Sequence, residues 1–209
     1  MLAVHALHLG PLDNNTYLVV NEATRETAVV DVGFEAEVVI REIERRKLDV
    51  KLLLNTHAHY DHVSGMRAVQ RVCGGEYHLH PADRPLLEHL AEQGAAFGFP
   101  PAEPPEHPHD LTDRQKITLA GETIDVIHTP GHSPGGVCFR HGDWVIVGDT
   151  LFAGSIGRTD LPGGDHATLI ASIRTVLFSF GDDAQVHPGH GPSTTIGRER
   201  RTNPFLVNT

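Results

Sequence analysis

Residues 56–62 read Thr-His-Ala-His-Tyr-Asp-His, and residues 50–55 immediately before them read VKLLLN. The apolar run is short and nearly continuous, the pattern of a strand buried on both faces. It delivers the chain to a turn carrying three imidazoles and a carboxylate. In an extended segment His57 and His59 point to the same side, and Asp61 and His62 come round at the next turn. One short loop can therefore serve two neighbouring ions. Residue frequencies alone would produce such a cluster in roughly 0.6% of chains of this composition, and its side chains are metal-ligand types.

On the N-terminal side, residues 3–9, 17–20 and 27–32 read as strands bounded by turn residues. The spacing of Ala36, Val39, Ile40 and Ile43 predicts an amphipathic helix over 35–48. Beyond the cluster, helices are expected at 64–72 and 82–93, with a strand at 77–80 between them and Pro81 suited to a helix start. Residues 98–109, GFPPAEPPEHPH, hold five prolines and predict a surface loop, a connector rather than a lid. Strands resume at 116–119, 123–128, 137–140 and 144–147. A helix follows Gly163-Gly164 with Asp165 as its N-cap and Ile170, Ile173, Leu177 and Phe180 along one side. The chain then returns through residues 185–187. Two stretches echo across the chain: TAVVDVG (27–33) resembles DWVIVGD (143–149), and LLLNTHAH (52–59) parallels DVIHTPGH (125–132). Two similar β-rich halves with helices outside predict an α+β fold, a four-layer αββα sandwich packed sheet on sheet.

The chain has 209 residues, enough for one domain spanning 1–209 with a substantial core. A net charge of −10 argues against nucleic acid as a partner, because phosphate recognition relies on clustered Lys and Arg. No apolar run approaches the ~20 residues of a membrane span, and the N-terminus lacks the basic start of a secretory signal, so a cytoplasmic location and no membrane partner are expected. Two cysteines exclude a disulfide framework and a four-cysteine metal site. Any metal would sit on nitrogen and oxygen. The oligomeric state is not legible in the sequence.

Three later turns each add one ligand type at a strand end: TPGHSPGG (129–136) with His132, VGDTLF (147–152) with Asp149, and HPGHGP (187–192) with His190. Each is weak alone, since a lone His or Asp after a strand is more often a capping residue. Together with 56–62 they complete two coordination spheres. This pattern resembles the metallo-β-lactamase superfamily over essentially the whole chain, and GDTLFAGSIGRTDLPGGD (148–165) looks like its glyoxalase II and persulfide dioxygenase branches. In length the chain resembles short bacterial YcbL-type, glyoxalase II-like (hydroxyacylglutathione hydrolase-like) proteins. The resemblance implies two divalent metal ions, one on His57, His59 and His132, the other on Asp61, His62 and His190, with Asp149 bridging. Zinc is favoured by the Irving–Williams order, and iron or manganese suits the same donors.

The reaction implied is hydrolysis of a small-molecule thioester, S-lactoylglutathione or a related acyl-glutathione, by a metal-bridging hydroxide that Asp61 helps orient. A thiolate with pKa near ~8.5 leaves without a dedicated acid, whereas an amide would demand one. The alternative implied by the same resemblance is an Fe(II)-dependent persulfide dioxygenase using His57, His132 and Asp149. The chain ends 19 residues beyond His190, so the C-terminal glutathione-binding helical extension of typical glyoxalase II proteins is expected to be absent. Arg158 and the GRERR run at 197–201 are candidates for contact with an anionic substrate. Ligating imidazoles usually donate their other N–H to a carboxylate or carbonyl, and His187 is a candidate for such a supporting role. His5, His8, His89, His107, His109 and His141 read as surface or packing residues.

Overall fold

In the computed structural model, which describes residues 1–207, two six-stranded sheets face each other. The first runs, edge to edge in chain order, β1 (Leu2–Leu9), β2 (Asn14–Asn21), β3 (Glu26–Val30), β4 (Asp49–Leu54), β5 (Glu76–Leu79) and β6 (His109–Asp110). The second chain-half supplies β7 (Lys116–Leu119), β8 (Glu122–His128), β9 (Val137–His141) and β10 (Trp144–Gly148), a small hairpin β11 (Leu151–Phe152) and β12 (Ser155–Ile156), then β13 (Gln185–Pro188) and β14 (Thr194–Thr195). The order in the second sheet is β14-β13-β10-β9-β8-β7.

Period-two alternation explains the layers. Along β2, Tyr17 and Val19 turn toward the second sheet and join Val30, Leu54, Val126, Phe139 and Ile146 in the inter-sheet core. Leu18 and Val20 turn the other way. They pack with Leu53 and Tyr77 against helices α1 (Ala36–Arg46), α2 (Tyr60–Val63), α3 (Met66–Cys73), α4 (Arg84–Glu88) and α5 (Leu90–Ala96). The outer face of the second sheet, with Val145, Val147 and Val186, is covered by Leu169 of α6 (His166–Ala171) and Ile196 of α7 (Ile196–Thr202). Each such buried aliphatic side chain contributes about 1.5–3 kcal/mol. The αββα sandwich expected from the sequence is the one observed.

The halves correspond in pairing as well as in pattern. β1-β2-β3-β4 pair antiparallel, antiparallel, then parallel, and β8-β9-β10-β13 repeat that order. The 27–33 and 143–149 echo is therefore spatial, since β3 and β10 hold the same place. The 52–59 and 125–132 echo is not, because the counterpart of β4 is β13.

Three expected helices differ. The one predicted at 82–93 begins with a 3-10 turn, Pro81–Asp83, and breaks at His89 into α4 and α5. Gln93 donates from Nε2 to Ala58 O (3.1 Å) and Leu86 O (2.7 Å), tying α5 to the histidine loop. The helix predicted at 64–72 starts two residues later, because Gly65 N donates to Val32 O (2.9 Å) and Ser64 Oγ to Gly33 O (2.9 Å). Asp165 does cap α6 through Thr168 N, but the segment then widens into a π turn over Ser172–Val176 and tightens to 3-10 over Leu177–Phe180. Its buried line is Leu169, Ile173 and Leu177, while Ile170 and Phe180 are only partly buried. A strict spacing of four drifts by about 40° per step in an α-helix, and the wider turn absorbs part of that drift.

Candidate metal centre

Every candidate ligand leaves the sandwich at the same end, just past the last residue of β4, β8, β10 or β13. His57 and Ala58 lie in irregular loop and His59 is extended, and α2 is a single helical turn that swings Asp61 and His62 back beside them. The turns fit without spare room. A Cβ on Gly189 would lie 2.1 Å from Asp149 Oδ1 and 2.7 Å from His62 Cε1, so only glycine lets the HPGHG turn approach.

Two donor groups result. His59 Nδ1 lies 2.8 Å and His57 Nε2 3.2 Å from His132 Nε2. Beside them His190 Nε2 is 3.2 Å from both His62 Nε2 and Asp61 Oδ2. Asp149 stands between the groups: its Oδ2 is 3.5 Å from His132 Nε2 and 3.4 Å from His190 Nε2, and its Oδ1 is 3.4 Å from His62 Nε2. That buried Oδ1 has no hydrogen-bond partner. All seven residues named from the sequence are thus brought together.

The far side of each ring fixes which nitrogen turns inward. His62 Nδ1 donates to Asp31 Oδ2 (3.1 Å), His132 Nδ1 to Arg158 O (2.7 Å) and His190 Nδ1 to Leu12 O (2.8 Å). Thr56 Oγ1 donates to Asp31 Oδ2 (2.6 Å) and accepts from His57 Nδ1 (3.1 Å). The Nε2 atoms of His57 and His132, and those of His62 and His190, are left facing each other in pairs at 3.2 Å, an arrangement that needs a cation or a proton between them. The donor set therefore fits divalent metal. Asp31, close to His57 and His62, is consumed by these hydrogen bonds and by Thr56 N (2.8 Å) and Asn55 Nδ2 (3.0 Å).

Asp31 was missed by the sequence reading. It follows β3 in a left-handed conformation, φ 52°, and the expected strand stops at Val30 so that its carboxylate can reach beneath the site. Asn14 was missed too: its Nδ2 donates to Asp61 Oδ2 and to Asp61 O, both at 3.0 Å. Asp83, fully buried, accepts from Ala58 N (3.0 Å), Ser133 Oγ (2.8 Å) and Gly135 N, clasping the two histidine loops together. Burial pushes its carboxyl above the usual range. The only sequence signal for these three was their position next to a turn.

Other candidates fall elsewhere. His187 bonds Ser193 Oγ (3.0 Å) and packs on Tyr17, so it supports no ligand. The GRERR run lies on α7, where Arg200 and Arg201 pair with Asp182. Arg158 does line the cavity beside the ligands, but its guanidinium grips Asp160 through two bonds of 2.7 Å.

The electrostatics are those of a site that wants positive charge at its centre. Burial would raise both Asp61 and Asp149, yet the imidazoles, His62 foremost, bring Asp149 down to about 2 and Asp61 well below the carboxylate range. Burial would lower His62 and His190, but Asp149 and Asp61 outweigh it and lift them to about 9 and about 11. His59 falls to about 3 through burial and the neighbouring His132. Over the ligands opens a cavity of about 390 Å³.

Residues 9–190 match the family model described as the metallo-beta-lactamase superfamily. The chain belongs to that superfamily. Among curated relatives of this metallo-beta-lactamase superfamily member, it is 41% identical over 191 residues to the hydroxyacylglutathione hydrolase GloC of Haemophilus influenzae, covering 87% of this chain and 88% of that one. Among solved structures it is similar to the BLEG-1 B3 metallo-beta-lactamase, with TM-score 0.91 and 37% identity, covering 99% of this chain and 100% of that one. It is also similar to TTHA1623 in a di-iron-bound form, with TM-score 0.88 and 40% identity, covering 97% and 100%. No helix among the described residues is long and apolar enough to cross a membrane.

Proposed function

We propose that the chain is a two-metal hydrolase of small-molecule thioesters, with acyl-glutathiones such as S-lactoylglutathione as the first class to test. The observation that carries this is the place of Asp149, within 3.5 Å of a nitrogen ligand from each group. It supports reading His57, His59 and His132 as one metal's ligands, Asp61, His62 and His190 as the other's, and Asp149 as the bridge. One core shared by both sheets supports treating 1–209 as a single domain.

Two ions held there would supply hydroxide near neutral pH, a bound water's pKa falling from 15.7 to about 7. The chain's own residues do the rest. Asp61, fixed by Asn14, holds a carboxylate at the cavity wall where it can accept a hydrogen bond from the attacking water and orient it. Attack at the carbonyl carbon forms the C–O bond and breaks C–S, the electron pair leaving on sulfur. The thiolate, pKa near ~8.5, needs no proton delivered. An amide nitrogen does, and no free acid lines the cavity among the described residues: Tyr60 Oη is spent on Pro100 O (2.8 Å) and Arg158 on Asp160. This sets thioesters ahead of β-lactams despite the likeness to BLEG-1.

The test is thiol release from S-lactoylglutathione by zinc- and iron-loaded protein, with a β-lactam alongside. A kcat/KM above roughly 10⁴ M⁻¹s⁻¹ is expected for the thioester. Negligible release would overturn the reading. A second reading, persulfide oxidation at a single Fe(II) on His57, His132 and Asp149, requires iron, which TTHA1623 binds in a di-iron form. Oxygen uptake with a persulfide and no thioester cleavage would establish it.

A further inference from the structure

The wall of the cavity over the ligands is apolar in a way the proposed hydroxyacyl substrate does not use. Leu12 and Phe97, 46% and 55% exposed, are two of the large hydrophobic side chains the fold leaves in solvent, and they face this cavity from opposite sides of the chain, one after β1 and one after α5. Phe99 is held rigidly, stacked on Tyr60 at 5.4 Å and edge-on to Phe34 at 5.0 Å. Phe152 stands edge-on to His190 at 6.0 Å, so the apolar lining reaches the ligands themselves.

The polar side chains of the lining, apart from the candidate ligands, are already engaged. Gln93 spends both its donor bonds on Ala58 O and Leu86 O and its Oε1 on Tyr60 N (3.2 Å). Tyr60 is spent on Pro100 O, and the Arg158 guanidinium on Asp160. A substrate hydroxyl or carboxylate entering here would give up water for an apolar wall and for polar side chains that already hold protein partners, whereas a methylene gains from each step of burial. A cavity of about 390 Å³ is large enough for a small-molecule group.

We propose that this cavity is an acyl subsite selecting an apolar aliphatic or aromatic acyl group, with Phe97 and Leu12 as specificity-determining walls. This rests on the thioester reading for the bond that is cut. Discrimination then comes from chain length rather than from a hydroxyl on the acyl group.

Two measurements separate the subsite from the reaction. Binding of the unreactive thioethers S-hexylglutathione and S-methylglutathione is measured by calorimetry. The hexyl compound is expected to bind at least about tenfold tighter in the wild type. In Phe97→Ala and in Leu12→Ala, both at exposed positions, that ratio is expected to fall below about threefold. Equal binding of the two thioethers, or a ratio unmoved in both variants, overturns the subsite whether or not the chain is a thioesterase. Thiol release is then compared for S-hexanoylglutathione and S-lactoylglutathione. Faster hexanoyl turnover supports the proposal, and lactoyl turnover equal or faster overturns it while leaving the hydrolase intact. Release from neither sinks the hydrolase reading, and the subsite then stands or falls on the thioether ratio alone.

Discussion

At Asp149 and Asp31 two carboxylates at matching strand ends do opposite work. Asp149 faces the site with one oxygen unbonded, and Asp31 faces away, its oxygens taken by Thr56, Asn55 and His62. Asp149→Ala is expected to cut bound metal from two ions per chain to one or none and to abolish turnover, read by elemental analysis of dialysed protein. Asp31→Asn keeps the shape but withdraws the charge that holds the His62 Nδ1 proton. A loss of about 10–100-fold in metal affinity is expected; metal titration showing wild-type affinity would remove Asp31 from this role. The seven candidate ligands were legible because each lies in a short turn whose residue types betray it. Their supports were not. His190 is held by a carbonyl 178 residues away and His132 by one 26 residues away, and a main-chain carbonyl has no residue type to recognise.

Secondary-structure elements set how closely those turns approach. Gly189 follows β13 and lies against Asp149 and His62, so Gly189→Ala is expected to push the two apart and cost at least ten-fold in kcat/KM with the fold retained by circular dichroism; unchanged kinetics would show that the turn has slack. At the start of α6 the Asp165 carboxylate accepts from Thr168 N at 2.7 Å. Losing this cap in Asp165→Ala is expected to cost about 1 kcal/mol, or about 2–4 °C in Tm. Long amphipathic or apolar runs announced themselves: β4, β8, β10 and α1 came out within a few residues of the expected bounds. The pairs β11-β12 and the strands β6 and β14, two residues each, did not, since two residues cannot display an alternation. The π turn after α6 was hidden for a different reason, a spacing of four being readable as either helix.

Over the whole molecule, proton and metal compete for one negative centre. In metal-stripped protein His62 and His190, raised to about 9 and about 11, bind their protons more tightly folded than unfolded. That stabilisation is complete below about 6.5 and is lost as pH climbs through those values. His59, lowered to about 3, binds its proton less tightly folded, so stability rises from about pH 3 to 6.5. Stripped protein is expected to show its highest Tm near pH 6.5 and a decline toward pH 9. Metal-loaded protein should lack that decline, because rising pH frees the imidazoles for metal. A stripped Tm that keeps climbing from pH 6.5 to 9 would contradict the charge balance drawn from Asp61 and Asp149. Chelation should lower Tm at every pH in that range, by the free energy of binding.

The sequence by itself determined the layers and the candidate ligands: VKLLLN and its fellow strands carry the apolar patterns that bury a sheet, and seven His and Asp residues occur where strands end. Tertiary structure alone decided which nitrogen of each ring turns inward, that Asp31 rather than His187 supports the site, and that aromatic side chains line the cavity, with Arg158 there held by Asp160 and the GRERR run away on α7. The physical reason is range. Burial and periodicity are properties of neighbouring residues, while a hydrogen bond at 2.8 Å or a shared carboxylate depends on the register of strands more than a hundred residues apart.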